Sequence, residues 1–344
     1  MSVPITIVIP THNPGSKLLE TLDSCLNQTF SNFEIVLINN CPANSDLEII
    51  RPHFRKHPNI IRIIDEPQQG VCSARNRGIR EAKGSYIALL DHDDIMYPNR
   101  LRSQFALAEE HPEAALIHGL FDRVSPDNRQ ILKKGAISTP EFWRPLLFDP
   151  STSLAQTPTV PPSVMFFKKE TALQAQLFDE SFNPQWSEDT EFCLKMSEQG
   201  PFFRVNESLV RWRFHPETYV TAREKNDLYI KLRNQDILYR ILFRKYGSTQ
   251  TSLAFKKMRG RWLREASFPL RPYRQKRHIA QSLLHRSLQE NPLDMKTWKV
   301  WLRTLYPMNW WPRIFKFTEW VDDDLPNSLD ENFVKSIFTK HQPL

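Results

Sequence analysis

Glycine is scarce in this 344-residue sequence, at 9 residues, and the four cysteines (Cys25, Cys41, Cys72 and Cys193) show no Cys-x-x-Cys spacing. Scattered thiols exclude a disulfide framework and a cysteine-built zinc site, and fit a reducing compartment. No stretch approaches ~18 uninterrupted apolar residues, so no membrane-spanning helix is expected. The first residues, MSVPITIVIPTHN, carry no basic segment ahead of a short apolar run, and a secretory leader is not expected there. Hydrophobic residues at 40% and charged residues at 25% make an ordinary globular composition, which excludes disordered and collagen-like classes. Proline, at 26 residues, is plentiful.

The net charge of +7 is unevenly placed: residues 1–222 sum to −5, 223–320 to +15, and 321–344 to −3. A mildly acidic part therefore precedes a strongly basic one, and we expect a domain over 1–222 and a basic, Trp-rich helical region over 223–344. Any partner implied by the basic surplus belongs to the last third.

Short β-branched runs at Ile5–Ile9, Glu34–Ile38, Ile60–Ile64 and Tyr86–Leu90 alternate with helical spacing. Leu18, Leu19, Leu22, Cys25 and Leu26 share one helix face, and Ala74, Ile79 and Ala82 fit another. Such alternation predicts an α/β fold with parallel strands buried on both faces. Ligands then bind beyond the carboxyl ends of the strands, here Pro10–Asn13, Asn39–Asn40, Asp65–Glu66 and Asp91–Asp94. Further on, a proline-rich stretch over 138–163 reads as an extended connection. Ser163–Phe167 reads as a strand, Glu188–Gln199 as a helix, and Phe202–Val205 and Leu209–Phe214 as two strands. Helical segments follow over 227–246, 253–264, 274–289 and 296–305.

Three carboxylates within four residues, Asp91-His92-Asp93-Asp94, follow the fourth strand. They repel one another unless a cation neutralises them, and Mg²⁺ or Mn²⁺ suits one or two carboxylates completed by water and phosphate oxygens. An acidic turn that caps the next helix is the alternative. Upstream, Gly70 to Gly78 opens a helix bearing Arg75 and Arg77, an arrangement suited to an anion such as diphosphate, or simply a solvated helix start.

Ile7-Val8-Ile9-Pro10-Thr11-His12-Asn13, Gln28-Thr29-Phe30 followed by Phe33-Glu34-Ile35, Gly70 to Gly78, and Leu90-Asp91-His92-Asp93-Asp94 with Pro98 together resemble glycosyltransferase family 2. The resemblance covers about residues 3–215 in order. It implies the GT-A fold, a mixed Rossmann-like sheet flanked by helices. It also implies a nucleotide-diphosphate sugar donor (uridine favoured), a divalent metal, Mn²⁺ or Mg²⁺, and inversion at the anomeric carbon. By the same resemblance Asp91 and Asp93 are the metal and ribose pair, and Pro10, Thr11, Asn13, Asn39, Asn40 and His92 lie on the donor side. Arg75 serves the base and diphosphate, and His215 approaches the metal. Trp186 and Glu188 face the acceptor, and Asp189 is the general base. Asn39-Asn40 stand where the family commonly has two aspartates, which loosens the expectation for the nucleobase. They keep open a catalytically silent nucleotide-sugar-binding relative. A sugar nucleotidyltransferase would need a Gly-rich basic loop after the first strand, and Pro10–Gly15 does not supply one.

The basic third interleaves Lys and Arg with six of the nine tryptophans: Trp262, Trp298, Trp301, Trp310, Trp311 and Trp320. A surface for anionic lipid and a helical cap with a solvated basic face both fit; nucleic acid is not expected as a partner. The lipid surface suits an enzyme at the inner face of the cytoplasmic membrane that glycosylates a glycan or lipid-linked acceptor in cell-surface polysaccharide synthesis.

Overall fold

The computed structural model describes residues 3–12, 15–40, 50–136, 142–143, 160–214 and 277–305, with scattered positions between 233 and 267. The chain divides into two compact units, one of residues 1–148 and 156–215 and one of 149–155 and 216–344.

In the first unit, β1 (Ile5–Thr11) and β2 (Phe33–Asn39) are buried along their whole length, as expected of strands covered on both faces. Helix α1 (Lys17–Leu26) buries Leu18, Leu22 and Cys25 against that sheet, the face expected from the spacing. Each fully buried Leu stabilises the fold by about 1.5–3 kcal/mol. Next come α2 (Arg51–Lys56), β3 (Ile61–Asp65), α3 (Val71–Glu81), β4 (Tyr86–Leu89), β5 (Ile95–Met96), α4 (Arg100–Glu110), β6 (Leu116–Val124), β7 (Ile131–Ala136) and β8 (Phe142–Trp143). A 3₁₀ turn at Pro162–Val164 leads to β9 (Phe166–Lys168), α5 (Lys169–Gln174), a 3₁₀ turn at Glu180–Phe182, α6 (Glu188–Gln199) and β10 (Phe202–Arg213).

The described strands form one sheet in the order β3-β2-β1-β4-β9-β6-β10-β5, with β7 on β6 and β8 on β10. The β3-β2-β1-β4 side is parallel, whereas β9 runs antiparallel to β4 and β6, so the sheet is mixed. Helix α3 packs closely on β1: a Cβ on Gly78 would lie 2.3 Å from Val8 Cγ1, so only glycine fits there.

Two expectations change. Ser163 does not sit in a strand but in the 3₁₀ turn, because Pro161 and Pro162 start a turn and have no N–H for a ladder. Phe202–Arg213 is one strand, not two, since register shifts between Val205, Ser208 and Val210 absorb the polar Asn206-Glu207 as an irregularity. Most of the proline-rich connection and the helical segments expected over 253–264 and much of 227–246 lie outside the described residues. In the second unit, α7 (Arg277–Glu290) and α8 (Met295–Leu305) match two of the four helical segments.

Candidate active site

Parallel register lines up the strand ends. Thr11 lies beside Asn39, Asn39 beside Asp65, and Val8 beside Leu89, from which the chain runs on to the acidic turn. The polar residues after β1 to β4 thus converge at one edge without any long-range sequence signal.

The acidic turn is pinned from three elements. The Asp94 N–H donates to the Asp91 carbonyl at 3.1 Å. The Ser163 hydroxyl donates to Asp94 Oδ2 at 2.5 Å and accepts the Asp91 N–H at 3.0 Å. From β10, the Arg213 N–H donates to Asp94 Oδ1 at 2.9 Å and its Nη1 to the Asp93 carbonyl at 2.6 Å. Thr21 of α1 donates to the His92 carbonyl at 2.9 Å. Asp94 is buried, and burial, followed by the charges of Asp93 and Asp91, pushes its carboxyl well above the usual range. Asp94 is therefore the internal post of the turn, while Asp91, His92 and Asp93 remain half-buried.

Arg75, on α3, is buried and joins the two acidic motifs. Its Nη2 donates to Asp91 Oδ1 at 3.0 Å, its Nη1 to Glu188 Oε1 at 2.9 Å, and its guanidinium lies 5.3 Å from the Phe178 ring centroid. Burial works against the positive charge, but Asp91 and Glu188 outweigh it and raise the pKa. The family resemblance implies a donor-side role for Arg75, and in the structure its fork is shared between two carboxylates.

The start of α3 does not fit the anion site suggested by Gly70–Gly78. The Val71 N–H donates to the Pro184 carbonyl at 2.9 Å and the Cys72 N–H to Asn183 Oδ1 at 3.0 Å. The segment before α6 thus already satisfies helix N–H groups an anion would use. Asn183 packs so tightly that a Cβ on Gly70, which has φ +133°, would lie 2.1 Å from its Cγ. Asn76 and Ser73 reach Glu180, and Asn76 also holds Phe178, so α3 and the 178–184 segment form one polar clasp.

Helix α6 presents the second acidic pair. Trp186 and Ser187 precede it at φ +84° and +66°, an uncommon conformation for residues with a Cβ. Glu188 is buried on Arg75. Asp189 is half-buried, and its Oδ1 accepts the Thr190 N–H at 2.7 Å. Burial, then the neighbouring charge of Glu188, raises the Asp189 carboxyl to about 7, suited to taking a proton near neutrality.

Pro10 and Thr11 are buried. The Thr11 hydroxyl donates to the Ile38 carbonyl at 2.9 Å, and its carbonyl accepts the Asn40 N–H at 2.9 Å. Asn40 is occupied by the chain itself: Oδ1 accepts the Gly70 N–H at 2.8 Å, and Nδ2 donates to the carbonyls of Gln68, at 2.7 Å, and Glu66, at 3.2 Å. It shapes the 66–70 loop instead of offering its amide to a nucleotide. Asn39 Nδ2 donates to Asp65 Oδ1 at 2.7 Å, placing an exposed carboxylate next to the position where the family commonly has one. Asn13 and His215 lie outside the described residues. The structure thus joins Arg75, Asp91 and Glu188, with Asp189 adjacent, and adds Ser163, Arg213, Asn183 and Asp65. No spacing rule links these four to the motifs; only the alignment of strand ends drew notice to Asp65.

Among the described residues no group of three His, Cys, Asp or Glu side chains converges as a metal cage. The donor set nonetheless fits Mg²⁺ or Mn²⁺. Asp91 and Asp93 are hard oxygen donors on a half-buried turn, and these ions take one or two carboxylates and fill the rest from water and phosphate.

Residues 6–169 match the family model "Glycosyl transferase family 2". Chondroitin synthase from Escherichia coli is 27% identical over 248 residues, covering 70% of this chain and 34% of the synthase, so the chain spans about a third of that relative's length. Among solved structures, S. aureus TarS 1–349 in complex with UDP-GlcNAc aligns over 86% of this chain and 92% of that one, at TM-score 0.53 and 14% identity. GalNAc-T7 with UDP, GalNAc and Mn²⁺ aligns over 62% and 43%, at TM-score 0.50 and 18% identity. Structural similarity at such low identity establishes the fold, and the sequence match establishes the family of the matched segment. Residues 6–169 accordingly belong to glycosyltransferase family 2, and the fold is GT-A.

Proposed function

We propose that this chain is an inverting, metal-dependent transferase that moves a sugar from a nucleoside diphosphate, uridine favoured, to a glycan or lipid-linked acceptor. Its place would be cell-surface polysaccharide synthesis, at the inner face of the cytoplasmic membrane. The observation that carries the reading is the Asp91–Arg75–Glu188 bridge. It holds the acidic turn and the start of α6 in one site, with a carboxyl raised to about 7 beside it. The kinship with a chondroitin synthase and the fold shared with a UDP-GlcNAc-bound enzyme support the donor and acceptor classes.

In this mechanism Asp189 accepts the proton of the acceptor hydroxyl while that oxygen bonds to the anomeric carbon. The bond from that carbon to the diphosphate breaks, and its electron pair leaves with the diphosphate. Asp91 and Asp93 would hold the divalent ion, which when bound neutralises charge on the leaving diphosphate. Arg75 keeps Asp91 and Glu188 in position and offsets their charge. Asp65, oriented by Asn39, offers an acceptor to the nucleobase, and Trp186 offers an apolar face to a sugar ring. A screen of nucleotide sugars for hydrolysis and transfer with Mn²⁺ tests the reading. Turnover is expected with at least one donor, and Asp93→Ala and Asp189→Asn should each reduce it by about 10²–10⁴-fold. Intact turnover in both variants would sink the site assignment.

A further inference from the structure

Helices α7 and α8 contact each other, and Ala280, Leu283, Leu284, Leu288 and Val300 on them are buried. Ser287 donates to the Gly260 carbonyl at 2.6 Å. Asp294 starts α8, accepting the Lys296 N–H at 3.0 Å and the Thr297 hydroxyl at 2.7 Å while pairing with Arg264. The inner faces are therefore satisfied.

The outer faces differ in chemistry. On α7 the exposed positions include Ser282, His285 and Gln289, which are at home in water. On α8 they are Met295, Trp298 and Leu302, at spacings of three and four, with Leu293 just before the helix. Leu293 and Met295 are 88% and 70% exposed. Such spacing puts the three helical side chains on one stripe, flanked by the exposed Lys296 and Lys299. The Trp298 Nε1–H donates to the Pro292 carbonyl at 2.7 Å, which ties the indole back towards Leu293. A second ring, Trp301, meets it edge-on at 5.7 Å.

An apolar stripe bordered by lysines, with tryptophan at its margin, has the chemistry of a helix lying in a lipid interface. The surrounding 223–320 segment, at +15, supplies long-range attraction to negative charge. An aqueous protein partner would need no such surplus of one sign, and a second copy of the same +15 segment would be repelled. We infer that α8 is a docking face for an anionic phospholipid surface, with Leu293, Met295, Trp298 and Leu302 entering the headgroup boundary and Lys296 and Lys299 meeting the phosphates. The inference rests on the membrane part of the reading above and on none of its catalytic residues.

The test is co-sedimentation of the full chain with vesicles of phosphatidylglycerol mixed with phosphatidylcholine, and of phosphatidylcholine alone, at low and high salt. Binding is expected to the anionic vesicles and to weaken with salt. Met295→Ser with Leu302→Ser should lower the partition coefficient about tenfold. Lys296→Gln with Lys299→Gln should lower it about tenfold at low salt, with a much smaller effect at high salt. These positions are exposed, so thermal unfolding and donor hydrolysis should stay unchanged, which separates this proposal from the catalytic one. Equal partitioning by both variants would overturn it, as would no vesicle binding by the native chain. Self-association abolished by the Ser variants, without lipid binding, would assign the face to a second copy instead.

Discussion

Replacing Arg75 with methionine removes one buried cation from between two carboxylates and keeps most of the apolar stem over Phe178. At an effective dielectric constant of ~20, opposite unit charges about 3 Å apart attract by about 5 kcal/mol, and the native contacts to Asp91 and Glu188 are 3.0 and 2.9 Å. Much of that attraction is offset by desolvation, and breaking a buried pair by removing one partner costs about 3–5 kcal/mol. A loss of this size should lower the midpoint of thermal unfolding by roughly 10 °C. Scanning calorimetry and urea unfolding of the native chain, Arg75→Met, Glu188→Gln and the double variant measure it. The double variant should lose less than the sum of the single losses, because Glu188→Gln removes one of the stranded charges. Arg75→Lys should fall between native and Met, since one ammonium cannot reproduce a fork shared by two carboxylates. A loss below about 1 kcal/mol in Arg75→Met would refute the reasoning, because the carboxylates would then be solvated and the bridge would not join the motifs.

Asp189 should place the acid limb of the pH–rate profile for transfer near its raised value of about 7, with activity rising as pH increases through it; a limb near the ordinary aspartate value would contradict the burial that raises it. The stability linkage has the opposite sense. A carboxyl raised in the native state favours folding below about pH 4, and that contribution is lost as pH rises from about 4 through about 7, so Asp189→Asn should be more stable than the native chain by up to about 4 kcal/mol at pH 8 and nearly equal at pH 4. Gly70→Ala should destabilise by about 1–3 kcal/mol, because its Cβ would overlap Asn183 in a conformation with φ +133°, and urea unfolding tests this. Ser163→Ala strands Asp94 Oδ2 and the Asp91 N–H and should cost about 1–3 kcal/mol, with weakened Mn²⁺ dependence of transfer as the functional readout.

The first four strands, the helices at 17–26 and 188–199, and the acidic turn are legible in the sequence because each is written in local periodicity or in residues close together along the chain, whereas the sheet strands at 95–96, 116–124, 131–136 and 142–143 carry no such signal. The division between an acidic part and a basic part was likewise a matter of counting charges. Chemistry that depends on residues distant in sequence was not legible in that way. Arg75 lies 16 residues from Asp91 and 113 from Glu188, yet hydrogen-bonds to both. Asn40 carries the side chain expected to serve a nucleotide, and its amide is instead taken up by the loop ending at Gly70. The start of α3 looked open to an anion, and Asn183 and Pro184 arrive from more than a hundred residues away to fill it. On α8 the amphipathic pattern marks apolar positions, but only packing against α7 decides which of them are buried and which face outward. A sequence specifies which side chains exist and the local conformations they favour. Which donors and carboxylates meet, and so which charges are offset and which stay available, follows from the strand order and register of the folded sheet.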